Sequence, residues 1–229
     1  EWVEYLDEEL TEHKAGFTRL QVEAAVQRAI PVTETATIDA VVDAYLADKG
    51  VIEASDTAIG ARTHAGARYT TEAMLTREKL VYETTAAGIG RGHHTIPTEQ
   101  AQMALATYEA GEGFTFNDGQ RAMFLSWVSS GKQVDLAIGA AGTGKTAAAD
   151  AARFAWEAQG LRVLGVSTAG LAAQNLGESA GVAVSTAAGL VNAIEAGQAP
   201  DIDVLVWDEM GMASTREQAV ILPWAAANR

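Results

Sequence analysis

The second half of the sequence predicts an α/β fold built on a doubly wound parallel sheet, and three observations indicate it. Short apolar runs at residues 134–138, 161–167 and 202–207 alternate with stretches of helical spacing, as in a parallel sheet that helices cover on both faces. A glycine-rich loop follows the first run, and an acidic pair follows the third. The third run is almost continuously apolar, which predicts a strand that is buried on both faces.

The glycine-rich loop matches a complete G-x-x-x-x-G-K-[ST] phosphate-binding pattern, placed between a predicted strand and a predicted helix. Its glycines allow bends that turn successive N–H groups toward a phosphate, and the helix adds its N-terminal dipole. We expect Lys145 to bridge the β- and γ-phosphates and Thr146 to hold Mg²⁺. The predicted nucleotide-binding residues of this loop are Gly139, Ala140, Ala141, Gly142, Thr143, Gly144, Lys145 and Thr146.

The acidic pair Asp208-Glu209 ends the apolar run at residues 202–207. Ligands of an open α/β sheet bind at the carboxyl ends of its strands, so both acids are expected to face the phosphate loop. The pattern predicts that Asp208 binds Mg²⁺ and that Glu209 activates the attacking water as a general base. An added glutamate favours a hydrolase over a kinase, since a kinase must exclude water.

Gln120 precedes the phosphate loop on a predicted helix that Asn117 caps. A carboxamide can pair with adenine N6 and N7, so Gln120 is a candidate adenine reader. An exposed helical glutamine is the alternative, and its spacing from the loop does not decide between them.

The first half of the chain predicts a mainly helical region. Thr18 to Gln21 matches a capping box, and apolar residues recur at helical spacing over 22–30 and 38–46 before two short candidate strands at 51–52 and 68–70. A third helix is predicted over 71–86, followed by a glycine-rich turn. This order is consistent with a winged helix or with a plain helical bundle that carries a surface loop.

Composition excludes several classes of site. The 229 residues include no cysteine and four histidines, so disulfides and thiolate metal sites are excluded and a zinc site is disfavoured. His93 and His94 are expected in a solvated linker. The net charge is −14, which argues against coating of duplex DNA but leaves a local DNA groove possible. No apolar run of membrane-spanning length occurs, and a cytoplasmic location is expected.

Together these motifs resemble superfamily-1 DNA helicases of the RecD-like, 5′-to-3′ branch. Residues 116–122 resemble the adenine-reading Q motif, residues 139–146 motif I, residues 167–173 motif Ia and residues 208–212 motif II. The resemblance implies a P-loop NTPase (RecA-like) fold that uses ATP and Mg²⁺ and moves along single-stranded DNA. It also implies contacts to DNA from Ser167, Thr168 and Thr186, although Ala169 stands where the family often has threonine.

The region upstream resembles the segment that joins relaxase and helicase in MobF-type conjugative relaxases, which implies conjugation machinery as a partner. We therefore expect a winged-helix-like domain at residues 1–115 and an incomplete first RecA-like domain at 116–229. The resemblance also implies a motif III strand between the motif I and motif II strands, and a second RecA-like domain, both beyond Arg229. A partial, marginally stable piece is expected. The alternatives are a P-loop switch without helicase activity, and a docking or DNA-binding module with an inactive nucleotide site.

Overall fold

The computed structural model describes residues 2–12, 14–29, 35–54, 68–88, 94–139, 142–168 and 183–228. These residues form two compact units. In chain order, the elements are α1 (Trp2–Thr11), β1 (Phe17–Thr18), α2 (Arg19–Ala29), α3 (Thr35–Leu46), β2 (Val51–Ala54), β3 (Arg68–Thr71), α4 (Glu72–Gly88), α5 (Thr98–Glu112), α6 (Asp118–Ser129), α7 (Lys145–Ala158), β4 (Val163–Ser167), β5 (Ala183–Thr186), α8 (Ala187–Glu195), β6 (Val204–Asp208), the 3₁₀ turn Met210–Met212 and α9 (Thr215–Ala227).

The first unit comprises Glu1–Val81 and Ser214–Ala219, and its sheet is antiparallel in the order β1-β3-β2. The capping box at the start of α2 is confirmed, because Thr18 N donates to Gln21 Oε1 at 2.9 Å and Gln21 N donates back to Thr18 Oγ1. The two predicted strands pair as β2 and β3. Helix α1 and strand β1 were not predicted from the sequence.

The core of this unit follows the predicted helical faces. Val22, Ala25 and Val26 of α2 are buried, whereas Ala29 is exposed and Ile30 lies outside the described residues. The apolar face predicted for α3 is confirmed, and its buried members pack with α1 and β1 in one cluster: Leu6, Leu10, Phe17, Val22, Ala25, Val26, Ile38, Val42 and Tyr45.

The second unit comprises Tyr82–Ala213 and Val220–Arg229, and its sheet is parallel in the order β5-β4-β6. Side chains alternate between two cores. Val163 packs with α5, α6 and α7, while Leu164 and Val166 pack with α8 and α9. Helices therefore cover both faces of the sheet, as a doubly wound fold requires.

Strand β6 differs from the prediction, because its residues are half-buried rather than buried. All five residues of β4, in contrast, are buried. The reason is position: β4 has neighbours on both sides, whereas β6 hydrogen-bonds only to β4 among the described residues. An edge strand leaves one side of its backbone without a neighbour.

The prediction of a strand at residues 134–138 is wrong, because this segment pairs with no strand in the described structure. Leu136 and Ile138 are 63 % and 101 % exposed. Asp135 is held by α6, since Ser126 Oγ donates to its Oδ2 at 2.8 Å. An extended segment becomes a strand only beside a hydrogen-bonding neighbour, and no described strand occupies the position that the family resemblance gives to motif III.

Within the described residues, no helix combines the length and the apolar character that crossing a membrane requires. Ala169, with the rest of residues 169–182, lies outside the described residues.

Candidate nucleotide site

The phosphate loop ends in backbone that only glycine adopts readily. Gly142 has φ 76° and Gly144 has φ 83°, and both values lie in the left-handed region that a Cβ disfavours. Gly144 caps α7, whose first turn closes with Ala148 N donating to Gly144 O at 3.0 Å. The helix predicted after the loop is therefore confirmed, and it starts at Lys145. Ala140 and Ala141 lie outside the described residues.

Gln120 reaches this loop from α6. Its Nε2 donates to Thr143 O at 3.3 Å, and a Cβ added to Gly144 would stand only 2.0 Å from the same Nε2. The oxygen of the same carboxamide is also bound, because Asn117 N donates to Gln120 Oε1 at 3.0 Å in a reciprocal capping box. The structure thus brings the candidate adenine reader against the phosphate loop.

Lys145 folds back over the loop, and its Nζ donates to Gly139 O at 2.7 Å. Gly139 also has little room, since a Cβ there would lie 3.0 Å from Thr143 Oγ1. Thr146 is exposed in the first turn of α7. The described residues of the loop therefore carry one cation, at Lys145, and two hydroxyls, at Thr143 and Thr146.

The acidic pair stands where β6 ends. Asp208 is the last residue of β6 and is half-buried, whereas Glu209 is exposed. Glu209 N donates to Asp208 Oδ1 at 2.9 Å, and Glu209 has φ 53°. A non-glycine residue in this left-handed region costs roughly 1 kcal/mol or more, and such strain clusters at functional sites.

Topology relates the acidic pair to the loop. Asp208 is in register with Ser167 at the end of β4, and Ser167 is in register with Thr186 at the end of β5. Helix α7 leads directly from the loop into β4. The helix of a β/α unit runs back along the sheet, so we expect its first turn at the edge where the strands end.

The candidate DNA contacts have different surroundings. Ser167 is only 1 % exposed, and its Oγ has no hydrogen-bond partner among the residues that the structure describes. Thr186 caps α8, since its Oγ1 accepts from Gly189 N at 3.0 Å. Thr168 is half-buried at the same edge of the sheet. A contact from Ser167 to DNA would require its hydroxyl to become exposed.

The two histidines of the predicted linker give no metal site in the described part of the chain. His93 lies outside it and His94 is exposed. The described residues contain no group of three His, Cys, Asp or Glu side chains that could hold a metal ion.

Helix α5 was not predicted from the sequence, and it contacts α6 and α7, the helices that carry Gln120 and follow the phosphate loop. Tyr108 on α5 donates to Asp150 Oδ2 on α7 at 2.7 Å, and burial with this bond raises the pKa of Tyr108 well above its ordinary value. Glu109 pairs with Arg121 on α6. The signal was available in the sequence, since Ala101, Leu105 and Tyr108 recur at helical spacing and are buried.

The chain is similar to one protein family and to several known proteins. The model of the AAA domain family AAA_30 matches residues 115–229. The chain is 32 % identical over 163 residues to the probable conjugal transfer protein TraA of Sinorhizobium fredii. This alignment covers 70 % of this chain and 14 % of that protein. It is 32 % identical over 157 residues to the conjugal transfer protein TraA of Rhizobium radiobacter. It is 29 % identical over 155 residues to the conjugal transfer protein TraA of Agrobacterium fabrum. Each of these two alignments covers 67 % of this chain and 14 % of the relative. The chain thus spans a small part of these relatives.

Substitution of Gly144 tests the geometry of the loop. Gly144→Ala pays about 1–2 kcal/mol for its left-handed backbone and also collides with Gln120. Gly160 is a matched control, because it has φ 80° and no atom within 4 Å of an added Cβ. Chemical denaturation should show a larger loss of stability for Gly144→Ala than for Gly160→Ala.

The excess loss should disappear when Gln120 is also replaced by alanine, since the collision is then removed. Equal losses for the two glycine substitutions in the wild-type background would contradict the close approach of Gln120 to the loop.

Proposed function

Because the chain belongs to the AAA domain family AAA_30, whose model matches residues 115–229, we propose that it binds and hydrolyses ATP as part of a DNA helicase. The helicase translocates on single-stranded DNA in conjugative transfer, the process for which the relatives are named. The observation that carries the proposal is the contact of Gln120 with the phosphate loop. The alignments cover 14 % of each relative, so the activity of the whole protein belongs to the proposal.

Recognition of ATP divides between Gln120 and the phosphate loop. The carboxamide has two N–H donors and two lone pairs. Thr143 O and Asn117 N use one of each, so one donor and one acceptor remain for adenine N7 and N6. The residues of the loop, Gly139 to Thr146, cradle the phosphates with backbone N–H groups. Lys145 leaves the carbonyl of Gly139, to which it now donates, and turns its charge to the β- and γ-phosphates.

Thr146, in the first turn of α7, and Asp208, at the end of β6, carry the donor groups that suit magnesium. A threonine hydroxyl at Thr146 and a carboxylate at Asp208 are hard oxygen donors of the kind that Mg²⁺ prefers. A magnesium ion held there supplies neutralisation of the charge that develops on the phosphates. The half-buried position of Asp208 strengthens such an interaction compared with an exposed carboxylate.

Glu209 is the general base of the proposal. It follows Asp208 directly and is exposed, so its carboxylate can accept a proton from a water molecule in the cleft. The left-handed backbone at Glu209 turns the chain sharply after β6.

Movement along DNA requires a second RecA-like domain, which opens and closes against the nucleotide and completes the site. We assign contacts with the DNA backbone to the carboxyl edge of the sheet, at Ser167, Thr168 and Thr186. Thr168 is favoured among them, since Ser167 is buried and Thr186 already caps α8.

Two substitutions separate binding from chemistry. Lys145→Ala should abolish ATP hydrolysis, and Glu209→Gln should retain ATP binding while turnover falls by about 100-fold or more, the usual range for loss of a general base. Binding is measured with a fluorescent ATP analogue and turnover by phosphate release, in a polypeptide that includes the second helicase domain.

Lys49→Ala and Glu195→Gln replace exposed residues with the same loss of charge and should behave like the wild type. Full turnover by Glu209→Gln would remove Glu209 as the base.

Single-stranded DNA separates a helicase from a P-loop switch that lacks helicase activity. A helicase predicts that single-stranded DNA increases ATP turnover several-fold, because the strand orders the cleft between its two motor domains. Turnover that single-stranded DNA leaves unchanged would support the switch.

A second candidate function belongs to the first unit. Helices α2 and α3 are followed by the β2–β3 pair, an order that supports a winged-helix-like module. The exposed face of α3 carries Asp39 and Asp43, which pair with Arg19. Residues 1–81 and 214–219 hold 16 acidic residues and nine lysines and arginines, a net charge of −7. This balance favours a protein partner over duplex DNA.

A docking role predicts that the protein does not retard blunt duplex DNA in a gel-shift assay at low salt. Retardation that is lost on placing another acid on α3, at exposed Ala44 (Ala44→Glu), would instead assign α3 to DNA.

A further inference from the structure

Helix α5 precedes the residues that the AAA_30 model matches, and it holds the segment that carries Gln120. Glu109 on α5 is the centre of this contact, with a side chain only 11 % exposed. Its Oε1 accepts from Phe116 N at 2.7 Å. Arg121 Nη2 donates to Oε1 at 2.7 Å and to Oε2 at 2.8 Å.

Glu109 and Arg121 together bind both backbone polar groups of Phe116. Arg121 Nε donates to Phe116 O at 3.2 Å, so the N–H of Phe116 is bound by Glu109 and its carbonyl by Arg121. The ring of Phe116 is buried and lies against Tyr108 of α5. Phe116 therefore has little freedom to rotate about its backbone bonds.

Phe116 stands directly before the capping box of α6. Asn117 N donates to Gln120 Oε1, and Gln120 N donates to Asn117 Oδ1. A change in the backbone direction at Phe116 turns the N–H of Asn117, and the carboxamide of Gln120 turns with it. The chain of contacts thus runs from Glu109 through Phe116 and Asn117 to Gln120.

We infer that Glu109 is a positioning residue for nucleobase selection, which it controls through Phe116 and Arg121 by fixing the orientation of the Gln120 carboxamide. This inference rests on the proposed role of Gln120 in reading adenine. A charge-assisted hydrogen bond with two donors is stronger than a neutral one, and its partial burial protects it from screening. The selection of base is therefore set from outside the matched family region.

The experiment measures the affinities of ATP, GTP and inorganic triphosphate in Glu109→Ala, Gln120→Ala and the double variant. Gln120→Ala should lower the preference for ATP over GTP by about tenfold, the order of one lost base contact. Glu109→Ala should lower it in the same direction, with the affinity for inorganic triphosphate unchanged. The double variant should match Gln120→Ala alone, since Glu109 acts through Gln120.

Two further variants control for folding. Glu99→Ala removes an exposed glutamate from the same helix and should leave the preference unchanged. Glu109→Gln keeps an acceptor for Phe116 N and loses the charge, so its preference should fall less than that of Glu109→Ala. If Glu109→Ala does not fold, Glu109→Gln alone tests the inference.

The outcomes distinguish the inference from the proposed function. An unchanged base preference in Gln120→Ala would overturn the adenine-reading role and the inference with it. A lowered preference in Gln120→Ala with an unchanged one in both Glu109 variants would overturn the inference alone. Loss of triphosphate affinity in Glu109→Ala, or a further independent fall in the double variant, would also overturn it, because each indicates an effect that bypasses Gln120.

Discussion

The parallel pairing of β4 with β6 is the constraint on which the rest of the second unit depends. It sets Ser167 and Asp208 in register at the carboxyl ends of the two strands. Helix α7 begins at the phosphate loop and leads into β4, so one strand links the loop to the edge that carries the acidic pair. The buried residues of β4 contribute to both cores. A slip of one residue in this register would exchange the two faces and move Asp208 away from the edge.

The site then depends on contacts that are local in space and distant in sequence. Gln120 reaches Thr143 from α6, and Glu109 holds the start of α6 from α5. Tyr108 ties α5 to α7 through Asp150. Helix α5 therefore contacts the helices that follow the Q motif and the phosphate loop, although it lies outside the matched family region. The unit that carries the site is larger than the family domain and begins at Tyr82.

Features that local chemistry determines could be predicted from the sequence. The capping box at Thr18 and the helix cap at Asn117 each depend on residues three positions apart, and the helix after the loop follows from the alanine-rich sequence there. Features that depend on a distant neighbour could not be predicted. Residues 134–138 have the composition of a strand, but no described strand lies beside them. Strand β6 is apolar enough to be central, but it is half-buried because β4 is its one partner among the described strands.

The domain boundary shows the same limit. The family resemblance begins with the Q motif at residue 116, so the boundary between the two predicted domains was placed between residues 115 and 116. The compact unit begins earlier because Ile96, Ala101 and Leu105 pack into the same core as α6 and α7. The predicted nucleotide residues remain a proposal. Their spacing in the sequence matches the chemistry of a shared site, in which the loop and the acidic pair bind one triphosphate.

The most direct measurement is the dependence of ATP affinity on Mg²⁺ in the wild type, Asp208→Asn and Lys145→Ala, by titration with a fluorescent ATP analogue. A shared site predicts that Mg²⁺ tightens binding to the wild type, that Asp208→Asn loses this gain while keeping its affinity without Mg²⁺, and that Lys145→Ala binds weakly in both conditions. An Asp208→Asn protein whose affinity responds to Mg²⁺ as the wild type does would contradict the account, because the carboxylate at the end of β6 would then not share in binding the triphosphate.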